Sequence, residues 1–433
     1  MNEINDMLQS LKKQTENYIK SIIHVCENDL TKQANELRAI ERSGETSDAK
    51  LLLHLLVIYA VSGVSFRLIA VLGYLMNAVA VSDEAWRQRF LKCSAWILFL
   101  LQNSLNTVAP TSLMFCNKGR EMQVYVVDAT MFKQVGSCGK ELRVHMCYNL
   151  TRGVMEEVMV TDNRDAESAS KFSVQPGSLY MADAGYGKGV NAEYISSQNG
   201  YVLFRITPHL VRLSTDAEGK NVIDMTKMLK TKKKRITFDC YIHTKKGHYL
   251  PIRIIASRLP EDKALLAKER KMRISNRKQR KLKPATLEYC QWVILMTNIG
   301  EEHSPASLLD LYRCRWQIEL LFKRIKQFFS IKRLKKASLE HSKLLVLLWL
   351  LIWSAVERKS IAAEIRLIES GKELNLYSPW VMSALVFKQL LTIVNAFWAL
   401  SFDPAFHATD VFIFTRNHKS KRFNQYAFAR LLA

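Results

Sequence analysis

Between residues 123 and 208 the chain runs through five short apolar segments divided by turn residues. They are "QVYVVDAT" (123–130), "KELRVHMCYNL" (140–150), "GVMEEVMVTD" (153–162), "GSLYMADAGYG" (177–187) and "YVLFRITP" (201–208). Each has the length and the β-branched or aromatic content of a strand. The first three follow one another closely enough for an antiparallel meander. Between the fourth and fifth lies "NAEYISSQNG", a short helical pattern. Three strands, a fourth, a helix and a fifth predict an α/β layer with mixed strand directions. Two of the strands are expected to end at a lone carboxylate, Asp128 and Asp183. A carboxylate there can project from the sheet into a crevice. Taken singly, each has a plain alternative: Asp128 as a strand-ending turn residue, Asp183 as the cap of the glycine turn after it.

The flanking sequence has a different texture. Residues 1–110 read as helix throughout, with Ser82 as an N-cap followed by Asp83 and Glu84. Residues 62–93 have the pattern of a helix-turn-helix, with Trp86, Arg87, Arg89 and Lys92 near the start of its second helix. Residues 209–289 read as a β-rich insertion in the α/β layer, with antiparallel strands in 234–259 and a basic helix or arm in 265–284. "CQWVILMTNI" (290–299) returns to a strand of the layer, and 340–365 reads as a buried helix of it. Residues 366–433 make a helical C-terminal region ending in the basic stretch "TRNHKSKRFNQ".

Charge narrows the class of partner. The net charge is +23, with 63 Lys and Arg against 40 Asp and Glu. It is concentrated: residues 209–283 hold 22 basic and 7 acidic side chains, residues 1–120 hold 13 and 11. Such a patch suits a polyanion, nucleic acid before an anionic membrane surface. The eight cysteines form no CxxC pair or other zinc spacing, and suggest free thiols in a reducing cytosol. The N-terminus lacks the basic start and apolar core of a secretory signal. The apolar stretch 51–81 is broken by His54, Gly63 and Arg67, and "LLVLLWLLIW" (344–353) is shorter than a bilayer crossing needs, so both are expected as core helices.

"YRCRWQIELLFKRIK" (312–326) joins these threads. On a helix at about 100° per residue, with Tyr312 at zero, Arg315 falls at about 300°, Glu319 at about 340° and Lys326 at about 320°. Cys314, Ile318, Leu321, Phe322 and Ile325 make a separate apolar face. The stripe can be a solvated row of ion pairs, such as Arg315 with Glu319. It can also bring a third carboxylate to Asp128 and Asp183. Three carboxylates from separate elements can hold two hard divalent ions, magnesium or manganese, to activate an attacking oxygen and stabilise a leaving one.

"VVDAT", "MADAGY" and the spacing Tyr312-x2-Arg315-x3-Glu319-x6-Lys326 resemble bacterial insertion-sequence transposases of the DDE class with the YREK signature, insertion-sequence family four. "SFRLIAVLGY", "LRVHMCYNL", "GYVLFRI" and the basic arm before "QWVILMTNI" are similar too, so the resemblance runs from about residue 55 to 400. It implies a ribonuclease-H-like catalytic domain (111–208 and 290–365), a basic β-rich insertion (209–289), a helical DNA-binding domain (1–110) and a C-terminal region (366–433) contributing to dimerisation. Asp128, Asp183 and Glu319 would be the catalytic metal ligands, for Mg2+ with Mn2+ able to substitute. Tyr312, Arg315 and Lys326 would hold DNA at the cleavage site. Arg205 and the arm residues Arg270, Lys271, Arg273, Arg277, Lys278, Arg280 and Lys281 would track phosphates. The partners implied are double-stranded DNA, as terminal inverted repeats and target, and a second copy of the chain in a synaptic complex. The setting is the bacterial cytoplasm at the nucleoid, with no membrane. The chemistry implied is cut-and-paste through a hairpin. An inactive DNA-binding relic, or a nuclease of the same fold that cuts without joining, stays open at this point.

Overall fold

The computed structural model describes residues 27–41, 48–77, 81–105, 115–117, 119–134, 141–245, 247–279, 281–329, 337–371 and 378–401, with Ser10 and Lys13. Arg280, the basic stretch 415–425 and the rest of 402–433 lie outside the described residues. The chain divides into two compact units, residues 105–336 and a helical unit made of the sequence on either side.

The helical unit opens with α1 (Glu27–Glu36), α2 (Ala49–Ser62), α3 (Phe66–Asn77), α4 (Asp83–Lys92) and α5 (Ser94–Leu105). α2 is buried on nearly all sides, which is why its sequence shows no polar stripe. Asp48 caps its first turn and Gly63 ends it in the left-handed conformation (φ 62°). Ser82 caps α4 by accepting from the Ala85 N–H, with Asp83 and Glu84 in the first turn as expected. The four side chains noted near the start of α4 all have partners within the unit. Trp86 is buried, Arg89 lies 5.3 Å over its ring, Arg87 pairs with Glu84 and Lys92 pairs with Glu41.

The other unit is a mixed α/β body on one nine-stranded sheet. Its strands are β1 (Val124–Phe132), β2 (Leu142–Asn149), β3 (Val154–Asp162), β4 (Leu179–Ala182), β5 (Tyr201–Arg205), β6 (Leu213–Ser214), β7 (Arg235–His243), β8 (Tyr249–Arg258) and β9 (Trp292–Thr297). In space they run β3-β2-β1-β4-β5-β9-β8-β7-β6. β1, β2 and β3 are the antiparallel meander expected, while β4 is parallel to β1 and β5 is parallel to β4. Helix α6 (Gly189–Ser196) makes the crossover between β4 and β5. The segment 209–289 contributes β6, β7 and β8 to the same sheet, through antiparallel pairing of β8 with β9. It therefore extends the layer rather than standing beside it. Its helices are α7 (Met225–Leu229), α8 (Glu261–Arg277) and α9 (Pro284–Tyr289).

Alternation along the strands separates two faces. Tyr125 and Val127 join Tyr180, Ala182, Val202 and Phe204 in one buried cluster. Asp128, next after Val127, belongs to the opposite face. Helices α10 (Pro305–Arg313) and α11 (Trp316–Phe328) follow β9, and α11 packs by Ile318, Leu321, Phe322 and Ile325, the apolar face read from the sequence.

After β4 the chain turns so tightly that Gly187 lies against the backbone of β5. A β-carbon there would sit 2.0 Å from the Arg205 carbonyl oxygen. Backbone cannot yield as a flexible side chain does, so Gly187→Ala is expected to destabilise the unit by about 3 kcal/mol. Thermal unfolding against wild type checks this; an unchanged midpoint would mean that the turn relaxes freely.

The helical unit is completed by α12 (Leu339–Glu369) and α13 (Pro379–Ser401). α12 groups with the N-terminal helices, whereas the sequence reading counted 340–365 with the α/β layer. Its Trp349 indole donates to the Ala60 carbonyl (2.9 Å), and Ser354 meets Ser104 (2.8 Å). At 31 residues α12 is also far longer than its ten-residue apolar run, so shortness does not distinguish it from a membrane span. Its most apolar window is 72% buried, as in the core helix of a folded domain.

Candidate active site

The parallel pairing of β1 with β4 sets Val127 opposite Ala182. Asp128 and Asp183 are the next residues on neighbouring strands, and so project at one level of the sheet. Asp128 does not end its strand, since β1 continues to Phe132 along the ladder with β2. Its Oδ1 accepts the Ala129 N–H (2.8 Å). Asp183 stands just beyond β4, and its Oδ1 accepts the Gly185 N–H (2.8 Å), closing the turn. The capping role open to it from the sequence is thus real, and leaves its second oxygen outside that bond.

The segment 312–326 is not one continuous helix. α10 ends at Arg313 and α11 begins at Trp316. Between them Cys314, Arg315, Gln317 and Ile318 donate to the carbonyls three residues back, a tight turn of the 3₁₀ kind. Three residues then make about a full turn, so Arg315 comes into line with Tyr312 rather than at the angle a regular helix would give. The Arg315 guanidinium lies 5.8 Å over the Tyr312 ring. It stands 3.5 Å from Asp128 Oδ2 through Nη1 and hydrogen-bonds Glu319 through Nη2. Arg315 is 14% exposed and Asp128 15%, whereas Glu319 is 45% exposed. Of the cation's donors, Nε and Nη1 are buried without a hydrogen-bond acceptor. The Tyr312 hydroxyl donates to the Ala182 carbonyl (3.3 Å), which fixes the α10–α11 turn over the end of β4. Lys326 donates to Thr130 Oγ1 (2.6 Å) and the Met131 carbonyl (3.0 Å), with its ammonium 5.0 Å over the Phe132 ring. Burial lowers its pKa below the usual lysine range.

Burial first, and then the neighbouring Asp183 carboxylate, push Asp128 up to about 7, against the opposing pull of the Ala129 N–H and Arg315. Such a pair gains from a cation between its members. Asp128 and Asp183 have the hard oxygen donors that magnesium or manganese takes. Glu319 is turned to Arg315, and among the described residues no three acidic, His or Cys side chains stand together as a ready cation site. The donor chemistry fits a divalent ion. Engaging Glu319 as well requires Arg315 to move.

The raised Asp128 has a consequence for stability. Between pH ~4 and ~7 the folded, cation-free protein holds a proton that the unfolded chain has released, so stability falls as pH rises through that window. With chelator present, Asp128→Asn is expected to be more stable than wild type by about 2–4 kcal/mol at pH 8 and equal to it below pH 4. Denaturant melts at both pH values test this; a gain that does not change with pH would contradict it.

Of the expected phosphate contacts, Arg205 is exposed at the end of β5, and Arg270, Lys271, Arg273, Arg277, Lys278 and Lys281 are exposed on α8 and just after it. Arg205 and Lys271 converge with Lys268 on Cys290, whose thiol burial raises and these three cations lower. The Arg205 charge also reaches Tyr312, where it partly offsets the rise that burial gives the phenol. Three residues at the site escaped the sequence reading: Thr130, which receives Lys326, Glu167, which meets Asp183 at Gly185, and Tyr186, whose N–H donates to the Asp183 carbonyl in the same turn. Tyr186 lies inside the stretch "MADAGYG" and could have been found there; nothing around Glu167 marks it.

The family model for the transposase DDE domain matches residues 119–355. The transposase of insertion sequence element IS421 of Escherichia coli is 30% identical over 329 residues, covering 73% of this chain and 86% of its own length. InsL of insertion sequence element IS186A, from Escherichia coli strain K12, is 30% identical over 328 residues with the same coverage.

Proposed function

This chain belongs to the DDE-domain transposases of insertion sequences, and from that premise we propose that it moves its element by cut and paste, with Asp128, Asp183 and Glu319 as one cation-dependent phosphoryl-transfer centre. The observation that carries the reading is the register of β1 with β4, which sets Asp128 and Asp183 side by side beneath the turn bearing Arg315. Divalent ions bound there, Mg2+ or in its place Mn2+, would supply Lewis-acid activation of the attacking oxygen and charge stabilisation of the leaving one. The three carboxylates would hold and orient them. Arg315, whose Nε makes no hydrogen bond and whose Nη1 meets Asp128 only at 3.5 Å, has a planar fork suited to a phosphate of the strand being cut. Tyr312 braces it and offers a ring to an unpaired base.

The strand order β3-β2-β1-β4-β5, with its meander and two parallel steps, supports a ribonuclease-H-like reading of the catalytic layer. The complete Tyr312, Arg315, Glu319 and Lys326 spacing supports membership of the YREK group, family four. On this reading water first frees a 3′-OH at the element's end. That hydroxyl attacks the opposite strand to form a hairpin, which is reopened before joining to target DNA. Arg205 and the α8 cations track the backbone by charge, two copies of the chain hold the two ends together, and the work is done on the bacterial nucleoid in the cytoplasm.

End-labelled DNA from the flanks of this gene, incubated with wild type and Mg2+, is expected to give a nick and then a hairpin on a denaturing gel. Cleavage of both strands with no hairpin would instead support a nuclease of the same fold.

A further inference from the structure

The acidic residues of β3 and of the connection from β3 to β4 are satisfied, with one exception. Asp165 pairs with Lys171 at 2.6 Å, Glu157 accepts the Ser173 N–H at 3.0 Å and Asp162 accepts the Arg164 N–H at 2.8 Å. Glu167 is partly buried and turned toward another carboxylate. A β-carbon placed on Gly185 would lie 2.1 Å from Glu167 Oε2 and 3.0 Å from Asp183 Oδ1. The two carboxylates thus close on one point, and the missing side chain at residue 185 is what gives Glu167 its place. Arg143 and Lys188 offset part of the charge on Glu167 while Asp183 opposes it. A second, independent feature lies alongside. The Tyr186 ring is fully buried, and its hydroxyl has no hydrogen-bond partner. Burial first, and then the charges of Glu167, Asp128 and Asp183 that reach that hydroxyl, hold its proton on. Buried tyrosine hydroxyls almost always find an acceptor, so one left over next to the turn where Glu167 and Asp183 meet points to something that completes the site.

We propose that Glu167 and Tyr186 are positioning residues of the cation centre: Glu167 adds a fourth negative charge behind Asp183, and the Tyr186 hydroxyl orients the carboxylates and the water around a bound divalent ion. The inference rests on the cation reading of Asp128 and Asp183 given above. It differs from it in assigning work to two residues outside the Asp, Asp and Glu set. Neither is required to touch the ion; their effect is on how tightly the ion is held.

The test is Mn2+ binding to the full chain without DNA, read from the free-ion electron paramagnetic resonance signal, with thermal unfolding in chelator as a check on folding. Glu167→Gln is expected to weaken Mn2+ binding about tenfold with an unchanged melting temperature. Glu167→Asp, which keeps the charge, should recover to within about threefold of wild type. Tyr186→Phe removes only a hydroxyl that has no partner in the fold. A structural role predicts no loss from it, whereas the proposal predicts a loss of about threefold or more. Should Glu167→Gln fail to fold, Tyr186→Phe decides alone. Wild-type affinity in Glu167→Gln and Tyr186→Phe, with binding lost in Asp183→Asn, overturns the inference and leaves the cation centre standing. Undiminished binding in Asp183→Asn overturns the cation centre itself.

Discussion

Glu319→Gln lowers the rate of DNA strand cleavage by about three orders of magnitude or more, on the scale of removing a charged group from a preorganised catalytic centre, and leaves DNA affinity within about threefold. The substitution keeps the shape and removes the charge. Glu319 is 45% exposed and its visible partner is Arg315, so little of the fold depends on it. Its carboxylate is the third hard donor available beside Asp128 and Asp183, and a neutral amide is a far weaker ligand for a divalent ion. Affinity should hold because the cations proposed to meet the DNA backbone, Arg205 and the α8 residues, are left unchanged. Single-turnover nicking on a denaturing gel, with a gel shift in parallel, measures both. Cleavage retained within tenfold would remove Glu319 from the chemistry.

Arg315→Gln has the second largest effect, and it acts in two directions. Without DNA, the guanidinium is the cation that Asp128 and Glu319 share. Removing it leaves the buried Asp128 uncompensated, so the cation-free protein should lose about 2–3 kcal/mol at pH 8. The loss should be smaller at pH 5, where Asp128 already holds its proton. Mn2+ should bind about tenfold more tightly to the DNA-free variant, because a fixed positive charge no longer competes for the same carboxylates. With DNA present, cleavage should fall about a hundredfold, since the fork that would hold the phosphate is gone. Arg315→Lys should rescue stability in part and cleavage little, because an ammonium lacks the planar, two-pronged geometry. Full cleavage by Arg315→Lys would show that only charge matters at this position. Weaker Mn2+ binding by Arg315→Gln would show that the arginine supports the cation instead of standing in for it.

Much of this arrangement could be read from residues. Period-two alternation and turn residues located the five strands between 123 and 208, and the apolar spacing in 316–328 marked the face by which α11 packs. What escaped depended on contacts distant in sequence. Asp128 was expected at a strand end, but pairing with β2 carries β1 four residues further. The strands in 209–289 gave no sign that they continue the central sheet, because the pairing of β8 with β9 joins segments that local pattern cannot connect. The helix break at Cys314 left the hydrophobic spacing intact, so a regular helix fitted the sequence equally well; the tighter turn is set by Tyr312 reaching the Ala182 carbonyl. α12 outruns its apolar core because its later turns carry charge and continue as helix. Glu167 was invisible for a simpler reason. A glutamate in a polar loop looks like any other until the fold closes it on Gly185.

On the proposed function, Asp128, Asp183 and Glu319 form one centre that both cuts and joins DNA. The most direct measurement supplies labelled DNA carrying the element's ends, a supercoiled target plasmid and Mg2+, and compares wild type with Asp128→Asn for label joined to the plasmid. Joined product is expected from wild type and none from Asp128→Asn, although both proteins bind the ends. Joined product from Asp128→Asn at the wild-type level would contradict it.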